Sequence, residues 1–185
     1  MDSTTPEKTT NGNGNSGNGD NPLLVFMPSG KLLALVRMDG TDDELLGNVG
    51  RLRTKVCWAS PPYTRWDCAH ELDGVRLDGP VAWLHDHRLF VVARKHLIEV
   101  DDRKRTALYE LTGDLDGGDL TAVEHAELPS AGDTSYAGVA PIDGDAGDRF
   151  LVTWYSTPLD MDDAWLLAIF GPTDIWQATL DLSQL

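Results

Sequence analysis

The sequence has no long apolar run. Nothing approaches the ~20 residues that a membrane helix needs. A charged n-region followed by an apolar h-region, the mark of a secretory signal, is also missing. These two absences give the expectation of a cytoplasmic chain with no membrane partner. Cysteine is scarce, with only Cys57 and Cys68. They lie too far apart for a CxxC motif, and two cysteines make neither a disulfide framework nor a zinc site. The expectation is a pair of half-buried free thiols. No segment carries a sustained 3.6-residue apolar stripe, which sets aside a helical solenoid. Basic charge is short as well. Fifteen Lys and Arg face thirty Asp and Glu, for a formal net charge of −15. That balance argues against nucleic acid or an anionic membrane surface as a partner. The acid is mostly Asp and Lys is rare, which suits a surface that stays hydrated in high salt. A P-loop, a Gly-rich dinucleotide loop and a Ser-His-Asp order are absent too.

What is present is a soluble composition over 185 residues, enough for one core. Residues 1–21 are low complexity, rich in Asn and Gly, and read as a disordered tail. The remainder, 22–185, is organised around a repeated phrase. Pro80–Arg94, PVAWLHDHRLFVVAR, has a Pro, an apolar run, a polar turn, a second apolar run and a closing Arg. Pro22–Arg37, PLLVFMPSGKLLALVR, says the same thing. Tyr136–Ser156 is a looser copy with an expanded Gly/Asp turn. Three β-hairpins at a spacing of roughly 55–60 residues point to a repeat architecture.

The rest of the chain fills in around these hairpins. Strands are expected at Thr54–Ala59, Val75–Leu77, Leu97–Val100, Arg105–Leu111, Leu120–Leu128 and Ile175–Leu182. The two prolines of Ser60–Trp66, SPPYTRW, exclude a ladder strand there. That stretch is expected to turn, with Trp66 folded back as a plug. Ala164–Phe170 fits a strand or a short helix. Each repeat is thus a meander of about four strands, and such meanders at this period are propeller blades. The fold class expected is all-β, a β-propeller of about three four-stranded blades, with a β-sandwich as the rival. Three blades do not close a ring. A homodimer, another half-propeller or a longer parent chain would complete it.

Four stretches carry a resemblance: PSGKLLALVR, SPPYTRW, LDGPVAWLHDHRLFVVAR, and GDTSYAGV followed by FLVTWYS. In this order they resemble the C-terminal half of a sialidase-superfamily β-propeller, the BNR or Asp-box group. SPPYTRW resembles a degenerate Asp-box, S-x-D-x-G-x-x-W. Ser60 and Trp66 are kept, while the Asp and Gly are missing and the spacing is one residue short. The resemblance implies a glycan-acting site in which an Arg triad grips a carboxylate and a Tyr, activated by a Glu, attacks the sugar. A neutral phenol meets less repulsion from an anionic sugar than a carboxylate would. With a pKa near 10 it needs a base beside it. Arginine suits a carboxylate because its fork is bidentate and always charged.

Residue by residue, the resemblance puts Tyr136 at the nucleophile's place and Arg37 at the second triad Arg. Arg94 is the first candidate for the third triad Arg, with Arg105 behind it. Trp154 is the tryptophan expected to contact sugar; the other five read as blade core. The activating Glu would fall at Pro22, which has no base, and Asp20 is the nearest acid. The first triad Arg and the acid/base Asp belong to blades outside this sequence. No cofactor or metal is expected. His85 and His87 at a hairpin tip read as solvated, His70, His96 and His125 as isolated, and Asp114, Asp116 and Asp119 as a plain turn. Two functions follow. One is a sialidase-like domain that binds a glycan or small carbohydrate, or hydrolyses a glycosidic bond with an incomplete catalytic set. The other is a non-catalytic propeller scaffold that has kept the shape and lost the chemistry.

Overall fold

The structure is a computed structural model, and it describes residues 23–38, 53–97, 103–144 and 147–185. It is all-β apart from single helical turns. Among the described residues, eleven strands form three antiparallel sheets, each a simple meander in chain order. The first sheet holds β1 (Leu23–Phe26), β2 (Leu32–Arg37), β3 (Arg53–Ala59) and β4 (Trp66–Asp73). The second holds β5 (Asp78–His85), β6 (Arg88–Leu97), β7 (Arg103–Gly113) and β8 (Leu120–Leu128). The third has β9 (Thr134–Pro141), β10 (Arg149–Ser156) and β11 (Asp174–Asp181), one strand fewer than expected. No closed sheet forms among the described residues.

Alternation along each strand decides how the sheets stack. In β6, Leu89, Val91 and Ala93 point one way and Phe90 and Val92 the other, and all five are fully buried. A strand buried on both faces must lie between two layers. One face of the second sheet packs on Leu33, Leu35, Val56 and Trp58 of the first. The other packs on Phe150, Val152 and Trp154 of the third. The second sheet is therefore the middle slab of three. The opening strands β1, β5 and β9 neighbour one another in that order. The connections 74–77 and 129–133 are short, so each new sheet begins at the end where the last one finished. One end of the stack gathers the starts of β5 and β9 with the ends of β2, β6 and β10. The hairpin tips occupy the opposite end.

Several expectations need correction. Val75–Leu77 is a connection, not a strand; its Leu77 is fully buried and the strand starts at Asp78. Leu97 closes β6, and the rest of the expected Leu97–Val100 strand lies outside the described residues, as does the 1–21 tail. Ala164–Phe170 resolves as a single helical turn, α1 (Trp165–Ala168). Trp66 does not fold back. It opens β4, WDCAHELD, and is 39% exposed. That strand is an outer edge with mostly exposed residues, so it carries no apolar alternation to read.

The cysteines are not free thiols. Cys57 and Cys68 form a disulfide across β3 and β4. It sits where the register shifts between the Val56–His70 and Trp58–Asp67 pairs. The two cysteines lie eleven positions apart in sequence. Both lie within a hairpin, so strand pairing brings them together in space although no sequence motif announces them. Disulfides of this kind belong to oxidising compartments, which counts against the cytoplasmic expectation. No described helix is long and apolar enough to cross a membrane. Closing a loop this short contributes about 2–3 kcal/mol through the unfolded chain. Thiol titration without reductant is expected to find no reactive thiol until the chain is denatured and reduced. Dithiothreitol is expected to lower the urea midpoint by the matching amount. One or two titratable thiols in the untreated protein would show that the bond is not formed.

Candidate functional site

The end of the stack that carries the starts of β5 and β9 holds a buried polar network. Asp78 is its centre and is only 2% exposed. Its carboxylate accepts from Arg76 Nε at 2.9 Å and pairs with His96 Nε2 at 2.7 Å. Arg37 Nε approaches the same carboxylate at 3.7 Å. Lys104 Nζ lies 2.7 Å from His96 Nδ1. An ammonium has donors only, so Nδ1 accepts from Lys104 and Nε2–H donates to Asp78. Burial pushes the Asp78 carboxyl up, but the hydrogen bonds from His96 and Arg76 and the charge of Arg76 outweigh it and hold the group down to about 2. His96 is thus not isolated, as its sequence context suggests. It sits on β6, two residues from Arg94, and faces the start of β5.

Arg94 anchors a second cluster beside the first. Its Nε donates to the Thr134 carbonyl at 2.6 Å. Its Nη2 donates to Asp133 Oδ1 at 3.0 Å and to the Tyr155 hydroxyl at 2.8 Å. Tyr155 in turn donates to Asp133 Oδ2 at 2.9 Å, and Trp165 Nε1 donates to Asp133 Oδ1 at 2.9 Å. Burial, set against the attraction of Arg94 and reinforced by Asp133, raises the Tyr155 hydroxyl above its usual value. The arginine is 6% exposed. Its Nε and Nη2 are both directed at protein atoms.

Tyr136 caps this cluster. Its ring stacks on Tyr155 with centroids 6.1 Å apart, and the Arg94 guanidinium lies 5.8 Å from its centroid. It is 54% exposed. Its backbone is left-handed, at φ +49°, directly after Ser135 at φ +133°. Two consecutive non-glycine residues at positive φ are costly and recur at functional sites. The Ser135 hydroxyl donates to the Asp78 carbonyl, which ties the strained corner to the first cluster. Gly79 makes room for the ring. A Cβ there would meet Tyr136 Cδ1 at 3.1 Å.

The structure therefore brings Arg37, Arg94 and Tyr136 to one end of the stack. Arg105 stands apart. It is opposite Lys95 in the β6–β7 register, while Arg94 is opposite Thr106, so the two arginines project from opposite faces of the sheet. Arg105 forms a bidentate pair with Asp162, which also accepts from the Gly132 amide. Trp154 is no sugar platform. It is 2% exposed in the core, and its indole N–H donates to the Pro129 carbonyl. Asp78, Asp133 and Tyr155 carry no signal of their own in the sequence, and His96 reads there as an isolated histidine. Asp133 and Tyr155 lie within GDTSY and TWYS, the stretches that mark the site, but nothing in sequence pairs them.

At the opposite end, His85 is 8% exposed rather than solvated, and its Nε2 pairs with Asp148 Oδ1 at 2.8 Å. Asp86 brings a third ligand-type atom within 4.8 Å. Both aspartates are exposed and the His85 nitrogen is already engaged. An open cavity of about 630 Å³ also lies there, lined by Lys31, Trp58, Pro61, Pro62, Arg65 and Trp66. It is far in the topology from Tyr136. Comparison of the chain with family models, with curated proteins and with solved structures finds no match.

Proposed function

We propose that this chain is a non-catalytic, glycan-binding domain of sialidase-like propeller type, its three sheets acting as blades of an incomplete ring. Face-to-face stacking of successive meanders, with β1, β5 and β9 side by side, supports the blade reading. One observation carries the binding reading. Tyr136 is held half exposed in a strained backbone over a cationic floor. A flat aromatic face beside buried charge is suited to the apolar face of a sugar ring. Its hydroxyl has no described carboxylate as a hydrogen-bond partner, so the activated phenol that hydrolysis requires is not assembled among these residues. Arg94 and Arg37 are already engaged with Asp133 and Asp78. That fits a scaffold better than a substrate clamp.

Titration with sialyllactose and with neutral oligosaccharides, followed by intrinsic tryptophan fluorescence, tests this reading. Saturable quenching is expected. Tyr136→Ala is expected to weaken it at least about tenfold, a loss of ~1.4 kcal/mol, whereas Tyr136→Phe, which keeps the ring, retains it. A fluorogenic sialoside is expected to show no turnover. Turnover that vanishes in Tyr136→Phe would replace binding with catalysis as the function.

A further inference from the structure

The two sheet-on-sheet contacts inside this chain are of one kind. In each, the first strand of one sheet offers one face and the first strand of the next offers the opposite face. Leu23 and Val25 of β1 pack toward the second sheet, whose Ala82 and Leu84 face them. Val81 and Trp83 of β5 pack toward the third sheet, whose Ala137 and Val139 face them. A contact repeated head to tail leaves one unused half at each end of the stack. At the first sheet the unused half carries Leu24 and Phe26, 52% and 65% exposed. At the third it carries Gly138 and Ala140, both exposed.

These two halves suit each other in size. The filled contact between the second and third sheets joins bulky Trp83 of β5 and small Ala137 of β9 in one cluster. Across the unused halves, bulky Leu24 and Phe26 would meet Gly138 and Ala140. A single chain cannot bring its own first and third sheets together, because the second lies between them.

We infer that two copies of this chain associate head to tail through these faces, the first sheet of each on the third sheet of the other, closing a six-sheet ring about a two-fold axis. The inference rests on the stacking, not on glycan binding. The assembly has two identical contacts, and each chain supplies one half to both. A net charge of −15 on each copy opposes association, so salt favours it.

Light scattering coupled to size exclusion reads the mass directly. At about 100 µM and about 1 M NaCl the expected mass is twice the 20.2 kDa of one chain, falling toward one chain at low salt. Leu24→Asp and Ala140→Glu, both at exposed positions, are each expected to weaken the dimer at least about tenfold with the melting curve of the monomer unchanged. Sugar titration of the same variants stays as in wild type, which separates this result from that of the glycan reading. A mixture of Phe26→Cys and Ala140→Cys proteins is expected to give a covalent hetero-dimer with a short thiol cross-linker, while neither protein alone does. A single-chain mass at both salt concentrations overturns the inference. So does a dimer that both charge variants leave intact, because its contact then lies elsewhere.

Discussion

Asp78→Ala is expected to destabilise the fold by about 3–5 kcal/mol, the range for breaking a buried ion pair from one side. The thermal midpoint should fall by about 10 °C for a chain of this length. The carboxylate is 2% exposed and is shared by Arg76 and His96, with Arg37 close by. Its removal takes away the acceptor on which two guanidinium groups and the His96 N–H converge. Asp78→Asn keeps the shape and one acceptor, so it should cost less than Ala. The pH dependence separates charge from shape. The folded carboxyl titrates at about 2, below its ordinary value. A depressed carboxyl stabilises the fold above the unfolded pKa of about 4, and the contribution fades as pH falls from about 4 to 2. At neutral pH the charge is worth about 2 kcal/mol by the same linkage. Urea titrations of wild type and Asp78→Asn should therefore converge as pH drops through that window. Glu110 is also held down to about 2, first by its hydrogen bond from Arg88, but it is present in both proteins and cancels. A constant gap between the two proteins from pH 7 to 2 would show that Asp78 does not act through its charge.

The hairpins were readable because their physics is local. Leu32–Arg37 and Leu89–Ala93 are apolar runs bounded by turn residues, and turn chemistry sets where each chain reverses. Both arginines were visible as the residues that end those runs, and both arrive at the same end of the stack because every sheet is a meander. What could not be read is what lies between strands. Asp78 and His96 are eighteen residues apart and meet only because β5 and β6 pair. Asp133 looks like turn material until Arg94, Tyr155 and Trp165 converge on it. The disulfide depends on a register shift that no single strand encodes. Strand β4 was missed because an exposed edge strand needs no apolar alternation. Repetition was legible as a pattern, but the third sheet's missing strand was not, since the sequence after β10 is rich in loop residues either way.

The same reasoning separates two roles for Arg94. A residue waiting for a ligand's carboxylate holds its guanidinium open to solvent, and its removal costs affinity with little effect on stability. Arg94 is arranged otherwise. It serves three acceptors, the Thr134 carbonyl, Asp133 and Tyr155, while 6% exposed. Arg94→Ala is expected to cost about 3–5 kcal/mol, because Asp133 then keeps only the Tyr155 and Trp165 donors for a largely buried charge. Arg94→Lys should recover only part of this, since an ammonium is a point donor and does not span three acceptors as the planar fork does. The double variant Arg94→Met with Asp133→Leu removes both charges and should regain much of the loss in urea denaturation, as replacement of a buried pair by apolar groups often does. Sugar affinity is then the discriminating measurement. With the fold restored and Tyr136 in place, binding of a neutral oligosaccharide should survive in the double variant if Arg94 acts by seating the Tyr136–Tyr155 stack. A single Arg94→Ala change that leaves stability within about 1 kcal/mol of wild type while abolishing sialoside binding would instead make the guanidinium a direct ligand contact. In that case the Asp133 pair is the resting state that an anionic sugar displaces.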